Sequence, residues 1–400
     1  MVKAVEKKAS GRELLAKMRA KKDSVVGDVV NLSISAIPTG NLTIDVMTGI
    51  GGLPRGRIST LYGSYSSGKT TSAIHAMAQA QHRLLESGNT DRLVVFVDYE
   101  HSYDPEYALG LGLDSSLDNF VYINPDSLEE GMQAAIDLIN TGDVEIITFD
   151  SVAAMVPQKE LDGEVGKAEM GNRAKLLAQS CRMLASKVAK YDTTAIFCNH
   201  VMEKIDTSFV GQQLASRGIK QWTSPGGTAL PFYSSLMIFF EKSISQEKAE
   251  KINPLTNTEI KEVIGQVTKM TVTKNKVGQA YRTTNLLLTV RNGFSNYYSV
   301  YEVLLGHKVF KKTDTGTVHK LTIPTTDGTE EIKGKVNVLD KMEEDTQWFA
   351  KLEEKAREIL EQHGMDTVDS SLYSSDGNID IQAALEVSQD EVDEMKLKEA

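Results

Sequence analysis

Gly63-Ser64-Tyr65-Ser66-Ser67-Gly68-Lys69-Thr70 is the segment of this 400-residue chain whose spacing most directly dictates a chemistry. Its two glycines let backbone N–H groups curl around phosphate oxygens. Lys69 reaches the outer phosphates, and the Thr70 hydroxyl is a ligand for Mg²⁺. An apolar run precedes the segment and a helical pattern follows it through Thr71, so the positive end of a helix faces the same phosphates. A mere Gly/Ser turn is the alternative, and the flanking strand and helix disfavour it. The expectation is a site for ATP and Mg²⁺.

Two further strand ends carry acids. Glu145-Ile-Ile-Thr-Phe-Asp150-Ser151 is an apolar strand closing on a carboxylate that can hold Mg²⁺ beside a phosphate loop. Leu93-Val-Val-Phe-Val-Asp98-Tyr99-Glu100 places Glu100 just past a carboxyl end, where open α/β sheets bind ligands. Hydrolysis of ATP needs a group that orients and deprotonates water, and Glu100 suits that role. A solvated strand-end acid is the competing reading.

The elements that must position these groups alternate. Short continuous apolar runs read as strands at 57–62, 93–98, 120–123, 145–150 and 195–199. Helical spacing fills 70–87, 127–141 and 172–191. Strands of that kind belong to a parallel sheet covered on both faces, and the class is α/β. Beyond Pro231, longer strands at 235–241, 266–274 and 283–290 read as an antiparallel extension. The expected organisation is an N-terminal oligomerisation segment over 1–36, with a helix at 11–22 and a strand at 25–35. A core over 37–295 follows, then a small α+β domain over 296–365 ending in a helix at 340–362, and an acidic flexible tail over 366–400.

A net charge of −11 argues at face value against a nucleic-acid partner. The distribution weakens that objection. Asp366, Asp369, Asp376, Asp380, Glu386, Asp390, Glu391, Asp393, Glu394 and Glu399 crowd the tail against Lys396 and Lys398 alone. Cys181 and Cys198 have no metal-ligand spacing and read as reduced, buried small hydrophobes. No apolar run approaches the ~20 residues that span a bilayer, and the N-terminus lacks a secretory pattern. The expectation is a soluble, cytoplasmic protein.

The motifs also occur in a telling order. Thr39-Gly-Asn-Leu-Thr-Ile-Asp45 and Gly51-Gly-Leu-Pro-Arg-Gly-Arg-Ile58 precede the phosphate loop. Asp98-Tyr-Glu-His-Ser-Tyr-Asp-Pro105, Asp150-Ser-Val-Ala-Ala154, residues 160–170, Phe197-Cys-Asn-His200, Gly226-Gly-Thr-Ala-Leu230 and Lys274-Asn-Lys276 follow it. This series resembles the RecA family of DNA recombinases over most of the chain. The resemblance implies a RecA-type P-loop ATPase core with a mostly parallel central sheet flanked by helices. It also implies a protein that forms a helical filament on single-stranded DNA and pairs it with homologous double-stranded DNA in recombination and repair. Single-strand-binding and mediator proteins are further partners that it suggests.

Residue by residue, the resemblance makes Glu100 the catalytic glutamate and Asp150 with Ser151 the Walker B end. Asp104 and Tyr107 match adenine contacts. Asn199 and His200 match a γ-phosphate sensor pair. His200 stands where bacterial members usually carry Gln, a departure that resembles the phage-type recombinases and introduces a titratable ring. Lys274 and Lys276 match lysines that reach a neighbour's ATP. Residues 160–171 and 201–231 match two DNA-binding loops, with Met170, Phe209, Gly226, Gly227, Lys175 and Arg182 as the DNA-contacting residues. Two other readings stay open at this point: a ring helicase sharing the same motor, and a DNA-binding scaffold with a vestigial phosphate loop.

Overall fold

The computed structural model describes residues 34–163, 171–203, 222–223, 225–252, 259–289, 292–312, 320–325, 328–333 and 335–363, with Arg12 and Lys17. Contacts divide the chain into Met1–Ser35 and Ala36–Ala400, and the elements below belong to the second unit. Apart from single residues, the helix expected at 11–22 and the strand at 25–35 lie outside the described residues. So does the tail expected over 366–400.

A nine-stranded sheet organises this unit. Its strands are β1 (Ile58–Gly63), β2 (Leu93–Asp98), β3 (Phe120–Ile123), β4 (Val144–Asp150), β5 (Thr194–His200), β6 (Leu236–Ile252), β7 (Glu259–Asn275), β8 (Thr283–Thr289) and β9 (Gly293–Phe294). They lie in the order β9-β8-β7-β6-β1-β5-β4-β2-β3. Pairings from β6 across to β3 are parallel; β7, β8 and β9 attach antiparallel.

Strand alternation sends successive side chains into two cores, one per face. On one face Leu61, Val94, Phe96, Ile146, Ile196, Ile238 and Phe240 meet helix α1 (Leu42–Thr48) and helix α2 (Lys69–Glu86) through Ile44, Met47, Ile74 and Met77. On the other, Val95, Val97, Ile147, Phe149 and Phe197 meet α3 (Leu128–Thr141) and α4 (Asn172–Tyr191) through Met132, Ile136, Leu177 and Leu184. Phe149 and Phe197 stack at 4.5 Å, and truncating either to alanine costs about 3–5 kcal/mol. Both cysteines are buried in these cores, as expected.

Two expectations need correction. The strands predicted at 235–241 and 266–274 are the inner parts of a longer hairpin, which runs to Ile252 and back from Glu259. The outer half of the hairpin carries no sustained apolar alternation, so hydropathy does not mark it as strand. The single helix predicted at 340–362 is two helices, α6 (Lys335–Glu344) and α7 (Thr346–His363), following α5 (Asn296–Gly306). Asp345 breaks it, because its Oδ1 accepts the Trp348 N–H at 2.9 Å as a helix N-cap does. Trp348, Leu352 and Leu360 pack with Val300 and Tyr301 of α5 and with Leu42 of α1. Asn41 Nδ2 adds a 3.0 Å bond to Ser299 Oγ. Among the described residues no helix is long and apolar enough to cross a membrane.

Candidate nucleotide site

The parallel strands all end on one side, and β1, β2, β4 and β5 deliver their last residues there together: Gly63, Asp98, Asp150 and His200. The phosphate loop leaves β1 through Gly63, where a Cβ would lie 2.0 Å from the Phe240 carbonyl oxygen. Only glycine allows so close an approach. Gly68 turns the chain into α2 at φ 93°, and a Cβ there would meet the Phe294 ring at 2.3 Å. Inside the loop, Ser67 Oγ donates to the Ser64 carbonyl at 2.8 Å and Lys69 Nζ to the same oxygen at 2.7 Å. Lys69 is only 4% exposed. Burial lowers its pKa, against the pull of Cys198, Asp150 and Glu100.

Thr70 Oγ1 donates to Asp150 Oδ2 at 2.6 Å, so the two residues expected to serve Mg²⁺ touch. Burial pushes the Asp150 carboxyl up to about 6 although the Thr70 hydroxyl opposes it; Glu100 and Asp98 raise it further. Asp150 and Glu100 both act on Lys69, with Asp98 acting on Asp150, and this oxygen-rich set fits a hard divalent cation. Among the described residues no group of three or more His, Cys, Asp and Glu could hold a metal by itself. Thr70 and Asp150 would need phosphate oxygens to complete the shell.

Glu100 is held at two points. Ser151 Oγ donates to its Oε1, and His200 Nε2 donates to the same oxygen at 2.7 Å. The His200 bond is the largest cause that holds this carboxyl below the ordinary glutamate range, and the Ser151 bond adds to it. Glu100 is thus a ready carboxylate at the edge of the phosphate loop, the state a general base requires.

Asp98 is the member of the site that the residue pattern left without a role. It is fully buried; Oδ1 accepts the Glu100 N–H at 3.0 Å, while Oδ2 accepts the Ser102 and Tyr103 N–H groups at 2.9 Å and the Tyr122 hydroxyl at 3.1 Å. It therefore shapes the loop that presents Glu100. Two acids two positions apart at a strand end were the available signal, with one facing outward and one turned inward to build the loop.

The remaining expected residues divide. The Tyr107 hydroxyl bonds Thr71 Oγ1 at 2.9 Å, beside the phosphate loop, whereas Asp104 caps the short helix Pro105–Gly110 through the Glu106 and Tyr107 N–H groups. Asn199 Nδ2 donates to the Pro225 carbonyl at 3.0 Å. Gly226 and Gly227, both left-handed, lean on the first turns of α4: a Cβ on Gly226 would meet Leu177 at 2.7 Å, and one on Gly227 would meet Ala174 at 3.3 Å. Lys175 is exposed on that turn, and Arg173, which residue types alone had not singled out, reaches back to the Ala153 carbonyl at 3.1 Å. Arg182 lies farther along α4 on the Tyr233 hydroxyl at 3.2 Å. Met170 and Phe209 lie outside the described residues.

Lys274 and Lys276 are not in this cluster. Asn275 pairs with Leu236, and Leu236 with Ser59, at the amino ends of the parallel strands, while Gly63 pairs with Phe240. Four residue steps of strand, roughly 13 Å, separate the two levels. Lys274 Nζ is tied to the Pro231 carbonyl; Lys276 is exposed, and so is Phe232 nearby at 70%.

The family model described as the RecA N-terminal domain matches residues 13–295. Protein RecA of Frankia alni is 35% identical over 335 residues, which cover 84% of this chain and 86% of that protein. Protein RecA of Lactobacillus delbrueckii subsp. bulgaricus is 38% identical over 294 residues, covering 72% and 80%; that of Enterococcus gallinarum is 36% identical over 295 residues, covering 74% and 76%.

Proposed function

The chain belongs to the RecA family, and on that premise we propose that it is an Mg²⁺-dependent, DNA-stimulated ATPase that assembles head to tail on single-stranded DNA and exchanges strands with a homologous duplex. The observation that carries this reading is the meeting of Lys69, Thr70, Asp150 and Glu100 at the strand ends, with Glu100 held by Ser151 and His200. An intact set of this kind weighs against a vestigial phosphate loop.

Lys69 and the loop N–H groups would hold the outer phosphates of ATP. Mg²⁺, held by Thr70 and through water by Asp150, would neutralise charge on the transferring phosphoryl group. Glu100 would orient water in line with the γ-phosphorus and accept its proton. Tyr107, whose hydroxyl bonds Thr71, would offer its ring to the base.

Two features support coupling to DNA. The Asn199 bond to Pro225 and the Arg173 bond to Ala153 both run from the nucleotide end toward Gly226, Gly227 and Lys175. Backbone N–H groups and a few cations there would hold phosphates without reading sequence. Lys274 and Lys276 lie too far from their own phosphate loop to serve it, which supports a role at a neighbour's. Association between two unlike ends is heterologous and open-ended, the kind that builds filaments. Negative-stain images of the protein with ATP and single-stranded DNA, with phosphate release measured in parallel, test the reading. Filaments and DNA-stimulated release are expected. Closed rings, or release indifferent to DNA, would overturn it.

A further inference from the structure

Tyr65 is the residue of the phosphate loop that burial does not explain. Its side chain is 66% exposed, yet its ring lies on the His200 imidazole, with centroids 4.5 Å apart and planes 27° from parallel. His200 crosses from the end of β5 to Glu100 through Nε2. A histidine that presents one nitrogen to a working group is normally oriented by a hydrogen bond at the other. Among the described residues the buried His200 Nδ1 has no such partner. One bond to Glu100 leaves the imidazole free to swing about it, and among the described residues the Tyr65 face is the ring contact that fixes its plane.

We propose that Tyr65 is a positioning residue for ATP hydrolysis: it holds the imidazole of His200 by stacking, and through it the carboxylate of Glu100, so that the shape of the phosphate loop sets the aim of the general base. The inference rests on the ATPase reading above. Stacking of two flat rings asks for an aromatic face and not for a hydroxyl, so phenylalanine serves at position 65 and alanine does not. Tyr65 makes none of the loop's internal bonds, which run from Ser67 and Lys69 to Ser64, so removing its ring leaves the phosphate cradle intact.

The test is a double-mutant cycle on DNA-stimulated ATP hydrolysis by the full chain, with kcat and KM separated. Tyr65→Ala should lower kcat by ~10-fold, a modest part of what misaligned catalytic groups can cost, while KM changes less than ~3-fold. Tyr65→Phe should keep kcat within ~2-fold. In a His200→Ala background, Tyr65→Ala should have no further effect, because the ring it positions is gone. The inference is overturned if the two substitutions multiply, if Tyr65→Phe is as damaging as alanine, or if Tyr65→Ala raises KM and spares kcat. Wild-type protein without DNA-stimulated hydrolysis would instead defeat the ATPase reading itself, so the two failures are distinguishable.

Discussion

The two ends of the parallel sheet are built on opposite terms. At the carboxyl end, polar groups find partners within the chain: Thr70 on Asp150, Lys69 on Ser64, and Ser151 and His200 on Glu100. At the amino end, Phe232 and Lys276 face outward. Buried polar groups must be paired to be tolerated, so the carboxyl end is organised before any ligand arrives. The exposed Phe232 and Lys276 are available to a partner, and on the proposed reading a neighbouring copy covers them. On the proposed reading, one end is pre-set for chemistry and the other serves assembly.

Loss of Lys69, the most buried cation among the described residues, should break this contrast hardest. Lys69→Ala leaves incoming phosphates without their cation and removes the positive charge that acts on Asp150 and Glu100. ATP-dependent binding to labelled single-stranded DNA, followed by anisotropy, should weaken by roughly 100-fold or more. Normal ATP-dependent filaments from this variant would show that the pre-set end is not needed for assembly.

Next in size is Glu100→Gln. An amide can still accept the Ser151 and His200 bonds but cannot take a proton from water. Single-turnover hydrolysis should fall ~100-fold or more while ATP and DNA binding persist. Filaments should then outlive those of the wild type, which dissociation after dilution would measure. Unchanged hydrolysis would remove Glu100 from the chemistry.

The lysine pair sharpens the comparison, because it lies at the assembly end and is proposed to act at the chemical end of another copy. Lys274→Ala/Lys276→Ala protein and Lys69→Ala protein should each be nearly inactive. Mixed, they should exceed the sum of the two, since intact lysines of one can meet the intact loop of the other. Merely additive activity in mixed filaments would confine the lysines to a local role.

The smallest effect belongs to Phe232→Ala. An exposed ring contributes little to folding, so the unfolding free energy should stay within ~0.5 kcal/mol. Self-association measured by light scattering should weaken about 10-fold if the ring is covered in the assembly. Unchanged association would mean that contacts elsewhere carry it.

Wherever hydropathy and local chemistry agreed, the chain was readable from its residues. Helix 172–191 matches α4 at both ends, and the apolar runs at 93–98 and 120–123 match β2 and β3. The phosphate loop was legible because glycine, lysine and threonine at that spacing have few other uses. Family membership followed from motif order and is borne out by the match over residues 13–295. The outer half of the β6–β7 hairpin was not legible, because its residues carry no sustained alternation of apolar and polar side chains. Asp345 likewise carried no mark in the pattern that set it apart from the other acids of a charged helix.

Residue types determined which groups could bind phosphate, hold a metal or accept a proton, since those are properties of single side chains and their near neighbours. Tertiary structure decided how they are used. It turned Asp98 inward to build the loop and left Glu100 outward. It laid His200, a hundred residues away in sequence, on Glu100 and placed the Tyr65 ring over it. It also set Lys274 and Lys276 at the far end of the sheet from their own phosphate loop. The physical reason is that a hydrogen bond or a ring stack depends on ångström-scale approach between strands distant in the chain. That approach is fixed by sheet order and register, which no local pattern of residues records.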